Sequence, residues 1–446
     1  MKFDLSKDIS HVVAGPNMAY FSDYQQEHNI YEIYGPKGSG KTTVVQEYVR
    51  SCTSAFYISF SGLSYDEAVK CFIQSYIPTR GDIKSMEEAV TAFMKQRSGK
   101  YTVIIFEDEY SEAMAECRNR FFLYNLKKKN LILGYIHQER SLSEHSVYIG
   151  YRSIAEYLKT FSGYDKYDTM RLHSLTGGML AVARELEPSI SYEENVRALL
   201  RFDSAFSTHL PAMLSKCFRV PDSYYPFFSA MAAGHCRVSE IAKYVGFPNN
   251  KCLNYLEALI KNDFVVAEKL TGTKQSTYHL VNSYYAAWGR YVYGQKLTQI
   301  SNPDKLIQYV AEDIDEHLTL PAFYAACKRF ILRANKEYNF ERDVIKRDVI
   351  QEEKNVPIKI GDGSMVIIDY CVNGSDVDYN YIFPHSLDMR YTKKEIGRIN
   401  EALAAVNRRY NAHTVIFSFT RFSDWCVHHA ARSDWFHIVP IERLKY

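Results

Sequence analysis

The sequence predicts an α/β fold built on a parallel sheet, and three observations carry that prediction. Short apolar runs recur at Ile30–Tyr34, Ala55–Phe60, Tyr101–Phe106 and Leu131–Ile136. Helical patterns separate them at Thr42–Cys52, Tyr65–Tyr76 and Met86–Gln96, the second with Ala68, Val69, Phe72 and Ile73 on one face. A glycine-rich segment joins the first run to the first helix. Strands that alternate with helices pair in parallel and are covered on both faces. Such a sheet takes its ligands at the carboxyl ends of its strands.

Length and composition set the frame. The 446 residues are enough for two to four domains at roughly 100–200 residues each. Hydrophobic residues at 46% and charged residues at 24% are ordinary for a globular chain. A net charge of +2 gives no global field that would recruit nucleic acid, so such binding needs a local basic patch. Nine cysteines, at 52, 71, 117, 217, 236, 252, 327, 371 and 426, include no CxxC pair, which indicates neither a zinc site nor a disulfide framework. Reduced thiols fit a cytoplasmic protein. The N-terminal residues lack the apolar core of a signal peptide, and no apolar stretch approaches the ~18 residues of a membrane helix. No membrane partner is expected.

The glycine segment is the most specific signal. Gly35-Pro36-Lys37-Gly38-Ser39-Gly40-Lys41-Thr42 fits G-x-x-x-x-G-K-[ST] without a mismatch, between a strand and a helix. Glycines let the backbone curl until several N–H groups point at phosphate oxygens. The helix after the loop aims its positive end at the same phosphates. Lys41 is expected to neutralise the β- and γ-phosphates, Thr42 to ligate Mg2+, and Thr43 to continue the cradle.

A second half is expected to hold magnesium and water. Val103-Ile104-Ile105-Phe106-Glu107-Asp108-Glu109 is a buried strand with carboxylates at its end. Two registers are open. In one, Asp108 contacts the magnesium shell and Glu109 orients the attacking water. In the other, Glu107 and Asp108 take those roles. The Asp-then-Glu order favours the first. The next strand, Leu131 to Ile136, offers no Ser, Thr or Asn at its end to sense a γ-phosphate, only His137 or Gln138. Arg152 is an arginine that could reach phosphate in a neighbouring subunit, against the commoner reading of an internal ion pair.

From about Arg152 to Leu214 the pattern is helical, interrupted at Thr176-Gly177-Gly178. Val238–Val245, a turn at Gly246-Phe247-Pro248-Asn249, a second helix at Asn250–Asn262 and a hairpin at Phe264–Ala267 and Thr277–Leu280 predict a winged helix. Its second helix would present Asn250, Lys251, Asn254 and Lys261 to DNA, with Lys269 and Lys274 on the wing. Ser301-Asn302-Pro303 marks a linker, and the rest mixes helix and strand.

In this order the motifs resemble the archaeal-type ATPases of the STAND class of P-loop NTPases, relatives of the AAA+ proteins. Asp108-Glu109-Tyr110 resembles that family's acidic pair and aromatic. Thr176-Gly177-Gly178 resembles its signature in the helical lid. Tyr278 to Trp288 resembles the segment after the winged helix. Two departures stand out: Tyr135-Ile136 replaces the usual Ser-Ser, which bears on the rate of hydrolysis, and Met179 replaces a proline. The last third resembles a restriction-endonuclease-like domain, through Met365-Val366-Ile367-Ile368-Asp369 and Thr414 to Phe422. The E-x-K strand of such nucleases reads Tyr381-Ile382-Phe383-Pro384-His385-Ser386 here, and Phe323 to Lys328 lacks the family's glutamate. Without those ligands Asp369 alone should hold no catalytic metal.

The resemblance thus implies four parts: a P-loop ATPase core at 1–160, a helical lid at 161–217, a winged helix at 218–300 and a catalytically inactive nuclease-like domain at 301–446. It implies ATP over GTP and Mg2+ as cofactor, catalysis through Lys41 and Glu109, and metal binding through Thr42 and Asp108. The partners it suggests are DNA, through Lys251, Asn254 and Lys274, and a protein partner or a second copy of the chain.

Overall fold

The computed structural model describes residues 5, 7–10, 30–59, 63–77, 83–97, 102–107, 131–137, 146–269, 276–295, 301–337, 353–360, 364–372, 378–384, 386–406, 412–441 and 444. The chain divides into two compact units, residues 1–151 with 179–181, and residues 152–178 with 182–446.

The first unit holds five strands: β1 (Ile30–Tyr34), β2 (Ala55–Ser59), β3 (Thr102–Glu107), β4 (Leu131–His137) and β5 (Ser146–Tyr148). Their order is β2-β3-β4-β1-β5, and every neighbouring pair is parallel. The four expected strands are all present. The fifth was not expected, since three residues are too few to display a period. Three helices connect them, α1 (Lys41–Ser51), α2 (Tyr65–Tyr76) and α3 (Met86–Gln96). Val103, Ile104, Ile105 and Phe106 of β3 are all buried, as both faces of a parallel sheet require. On one face Phe72 of α2 and Met86, Val90 and Phe93 of α3 pack against Ile58, Ile104, Phe106 and Leu133. Burying each such side chain contributes about 1.5–3 kcal/mol. One consequence of the order positions the site: β4 lies between β1 and β3, so its carboxyl end sits between the glycine loop and the acidic strand end.

The second unit begins with helices α4 (Ile154–Thr160) and α5 (Lys166–Thr176) and continues through α6 (Tyr192–Leu199), α7 (Ala205–Cys217) and α8 (Tyr225–Ala232). Then come α9 (Val238–Val245), α10 (Asn249–Lys261) and an antiparallel hairpin of β6 (Val265–Lys269) and β7 (Ser276–Leu280). Helix α11 (Ser283–Ala287) passes into a π-helical turn at Trp288–Tyr293. Its aromatic side chains form a core: Trp288 Nε1 donates to the Ser207 carbonyl at 2.9 Å and Tyr284 Oη to the Phe206 carbonyl at 2.9 Å.

Helix α12 (Pro303–Ile314), a second π-helical turn at Asp315–Thr319 and the long helix α13 (Leu320–Glu337) lead to a mixed sheet. Its strands are β8 (Glu353–Ile360), β9 (Ser364–Val372), β10 (Asp378–Phe383), β11 (Ala412–Ser418) and β12 (Phe436–Pro440), in the order β12-β11-β10-β9-β8. β8, β9 and β10 are antiparallel neighbours, whereas β10, β11 and β12 run parallel. Helices α14 (Lys393–Val406) and α15 (Asp424–Arg432) cover one face through Ile396, Ile399 and Cys426. Phe323, Tyr324 and Phe330 of α13 meet Phe419, Phe383 and Phe417 edge-on.

Helix α5 is tied to later parts of the chain at three places. Arg171 donates to both carboxylate oxygens of Asp315, at 2.8 and 2.5 Å. Tyr167 stacks obliquely on Phe419 at 4.8 Å and donates to the Leu387 carbonyl at 3.4 Å. At its carboxyl end Gly177, with φ +60°, accepts from Asn282 Nδ2 at 2.9 Å, and a Cβ on Gly177 would fall 1.6 Å from Asn282 Oδ1. Only glycine fits there, for shape and for φ alike. The Thr-Gly-Gly run and the segment after the hairpin, far apart in the sequence, are two sides of one contact.

No described helix is long and apolar enough to cross a membrane.

Candidate nucleotide site

The site is built from the carboxyl ends of β1, β2 and β3. β1 ends at Tyr34, whose carbonyl accepts the Ile149 N–H at 2.8 Å. The chain then turns through Gly35, Gly38 and Gly40, with φ of 154°, 76° and 96°. Within the turn Ser39 N–H donates to the Pro36 carbonyl at 3.3 Å. A Cβ on Gly40 would lie 2.5 Å from Leu180 Cδ2. Ser39 and Lys37 are buried in the loop, and the Ser39 hydroxyl meets no hydrogen-bond partner among the described residues.

Helix α1 starts directly from this loop. Its N-cap is Gly40, no side chain caps it, and its first turn carries no acidic residue. The first N–H groups of a helix have no intrahelical acceptors, so they and the dipole are directed into the turn. Lys41 folds back over the loop: its ammonium donates to the Gly35 carbonyl at 2.8 Å and the Pro36 carbonyl at 3.1 Å. A positive charge is thereby held at the loop. Thr43 is half-buried on the same turn.

The next residue reaches across the sheet. The Thr42 hydroxyl donates to Oε1 of Glu107, the last residue of β3, and the Tyr57 hydroxyl of β2 donates to Oε2 of the same carboxylate. Burial, then the charge of Glu107 beside it, push the Tyr57 phenol well above its ordinary value, so it stays a donor at any ordinary pH. A hydroxyl and a carboxylate side by side form a hard oxygen set of the kind Mg2+ takes. With the Lys41 ammonium and the orphaned Ser39 hydroxyl nearby, the residues present fit a magnesium nucleotide.

Asp108, Glu109 and Tyr110 lie outside the described residues, as do Gln138 and Lys274. Tyr135 and Ile136 of β4 are buried, Tyr135 stacking on Phe106 at 5.7 Å. Their side chains belong to the core. Arg152 is also buried, and its guanidinium pairs with Glu156 one turn on, at 3.1 Å. It is the internal ion pair, not an arginine extended toward a neighbour.

On α10, Asn250, Lys251, Asn254 and Lys261 are exposed, with the Lys251 ammonium 3.9 Å from the centre of the Phe247 ring. In the C-terminal sheet Asp369 of β9 stands opposite Tyr381 of β10 in register. Neither acid nor lysine neighbours Tyr381 on that strand, where Asn380 and Ile382 flank it. Among the described residues no three His, Cys, Asp or Glu side chains gather to hold a metal ion.

Sequence reasoning missed Tyr57. A signal was present: Tyr57 and Ser59 are polar-tipped residues two apart on an otherwise apolar strand, hence on one face. Using it requires knowing that β2 pairs with β3, with Ser59 opposite Glu107.

No family model matches the chain. It is 23% identical over 330 residues to the uncharacterized protein MJECL04 of Methanocaldococcus jannaschii, covering 68% of this chain and 73% of that one. Among solved structures, it is similar to a chain of the Drosophila ORC bound to AT-rich DNA and Cdc6, at 9% identity and a TM-score of 0.22, over 64% of this chain and 96% of that one. It is likewise similar to C. elegans PCH-2, at 12% identity and a TM-score of 0.23, over 57% of this chain and 68% of that one. A third, VC1899 of Vibrio cholerae, gives 11% identity and a TM-score of 0.20, over 94% of this chain and 95% of that one. The overlap at these scores is slight.

Proposed function

We propose that this chain is a P-loop ATPase of the STAND and AAA+ kind, which binds ATP with magnesium at Gly35–Thr42. The observation that carries this reading is the meeting of Thr42 and Glu107 beside the glycine loop. Magnesium, when bound, would supply neutralisation of the phosphate charge. Lys41 and the N–H groups of residues 38–43 receive the phosphates. Thr42 and Glu107 would hold the metal side, a contact that supports the second register of the acidic strand end, with Asp108 to orient water. Asp108 at the metal and Glu109 at the water remain the competing assignment. Phosphate release from ATP, compared between wild type and Lys41→Ala, tests the reading. Equal rates in the two proteins would sink it.

A specific observation favours a second reading, a nucleotide-bound switch with negligible turnover. Tyr135 and Ile136, which replace the polar pair of the resembling family, are buried core side chains. Retention of ATP without phosphate release supports that version, and robust turnover removes it.

The hairpin and helices of residues 238–280 are proposed as a winged helix, and residues 301–446 as a nuclease-like domain without its chemistry. Both would act as binding modules governed by nucleotide state. The exposed Lys251 and Asn254 support a DNA contact. Salt-dependent retention on DNA that weakens in Lys251→Ala is the expected result.

A further inference from the structure

We infer that Tyr57 is a positioning residue for the metal-side carboxylate, an inference that rests on the nucleotide reading above. The Glu107 carboxylate has two oxygens, and each accepts from a different hydroxyl: Thr42 on Oε1, Tyr57 on Oε2. A carboxylate otherwise turns freely about its last bond. Donors on both oxygens fix its plane. Neither donor is charged, so the full negative charge of Glu107 stays available to a cation. With its proton committed to Oε1, the Thr42 hydroxyl keeps its lone pairs for a metal. Thr42 alone cannot set this arrangement, because it sits on the loop side of the site. Tyr57 approaches from the sheet side.

Tyr57 is itself held firmly. Its strand pairs with β3 along its whole length, from Ala55 opposite Val103 to Ser59 opposite Glu107. Its carbonyl accepts from the Tyr76 hydroxyl of α2 at 3.2 Å. The phenol therefore reaches Glu107 from a fixed base. The role is one of orientation: Tyr57 touches neither nucleotide nor metal, and it acts through Glu107.

The test uses full-length protein and a fluorescent ATP analogue, titrated once in EDTA and once at rising Mg2+. Tyr57→Phe removes only the hydroxyl and keeps the ring. The expected result is unchanged affinity in EDTA and a half-saturating Mg2+ concentration raised about tenfold, as for one hydrogen bond to a charged group. Placed in a Glu107→Gln background, the same substitution should have no further effect on Mg2+, since the charged carboxylate that it positions is gone. A wild-type Mg2+ dependence in Tyr57→Phe overturns the inference. So does a loss of equal size in EDTA and in Mg2+, which would mean that the hydroxyl supports the fold rather than the metal side, and so does full additivity with Glu107→Gln. If wild type binds the analogue in neither condition, the nucleotide reading itself fails, a result distinct from all of these.

Discussion

Helices α1 and α2 belong to the same unit and are nearly the same length, yet their first turns are treated in opposite ways. Helix α2 opens with Ser64, whose hydroxyl accepts the Glu67 N–H while the Glu67 side chain accepts the Ser64 N–H. Asp66 and Glu67 also set negative charge against the positive end of the helix. Helix α1 has a glycine at the same position, no capping side chain and no acid. In α2 the chain satisfies its own N–H groups and helix dipole. In α1 no side chain satisfies them, and Lys41 adds to the same positive charge. The difference between a structural helix start and a binding one is therefore what the sequence withholds.

The contrast can be broken at several points. The largest effect is expected at Lys41. Lys41→Ala should weaken nucleotide binding by about 10- to 100-fold, the equivalent of roughly 1.5–3 kcal/mol for hydrogen bonds to a charged group. Isothermal titration measures it, and an unchanged affinity would make the α1 start an ordinary one. Next, Gly40→Ala places a side chain at φ 96° and against Leu180. It should cost about 1–3 kcal/mol in backbone strain and weaken binding as well, seen as a lower melting temperature both with and without nucleotide. Ser64→Ala should cost only about 1 kcal/mol of stability and leave nucleotide affinity alone. A change in affinity there would dissolve the distinction between the two starts.

The smallest effect is one of pH. Bonds from the Ser64 backbone, then from its hydroxyl, hold the Glu67 carboxyl below its ordinary 4.5. A group with a depressed value contributes its stability above the ordinary value and loses it as pH falls through the lowered one. The α2 cap should thus be intact near neutrality and fail in acid. The Ser64→Ala protein keeps the backbone bond and should lose only the hydroxyl's share of the acid sensitivity in a melting series.

Much of this was legible in the sequence, for identifiable reasons. β1 to β4 are short apolar runs bounded by helical patterns, and the bounds of α2 and α3 were read to the residue from their helical patterns. The glycine loop was readable because its chemistry is local. β5 was missed because it is held by pairing with β1, which three residues cannot announce. The two π-helical turns were missed because tertiary contacts make them, such as the Gly289 backbone lying where a Cβ would be 2.5 Å from the Phe228 carbonyl. The partnership of Thr42, Glu107 and Tyr57 needs the sheet register, which brings together residues from helix α1, β2 and the end of β3. The chain holds 36 tyrosines, and part of that number is structural: Tyr31, Tyr135, Tyr157, Tyr284, Tyr285, Tyr291, Tyr381 and Tyr391 are core side chains.

Helix α5 has a consequence of a mechanical kind. It is keyed to its surroundings at three stations along its length, by Tyr167 at the Leu387 turn, Arg171 at Asp315 and Gly177 at Asn282. A shaft with one key can slip, whereas a shaft with three transmits rotation without play. Fixed at these three stations, the helix is expected to move with the hairpin region and the C-terminal sheet rather than past them. Loosening any single key, by Asp315→Ala for instance, should add backlash to the linkage before it weakens the fold.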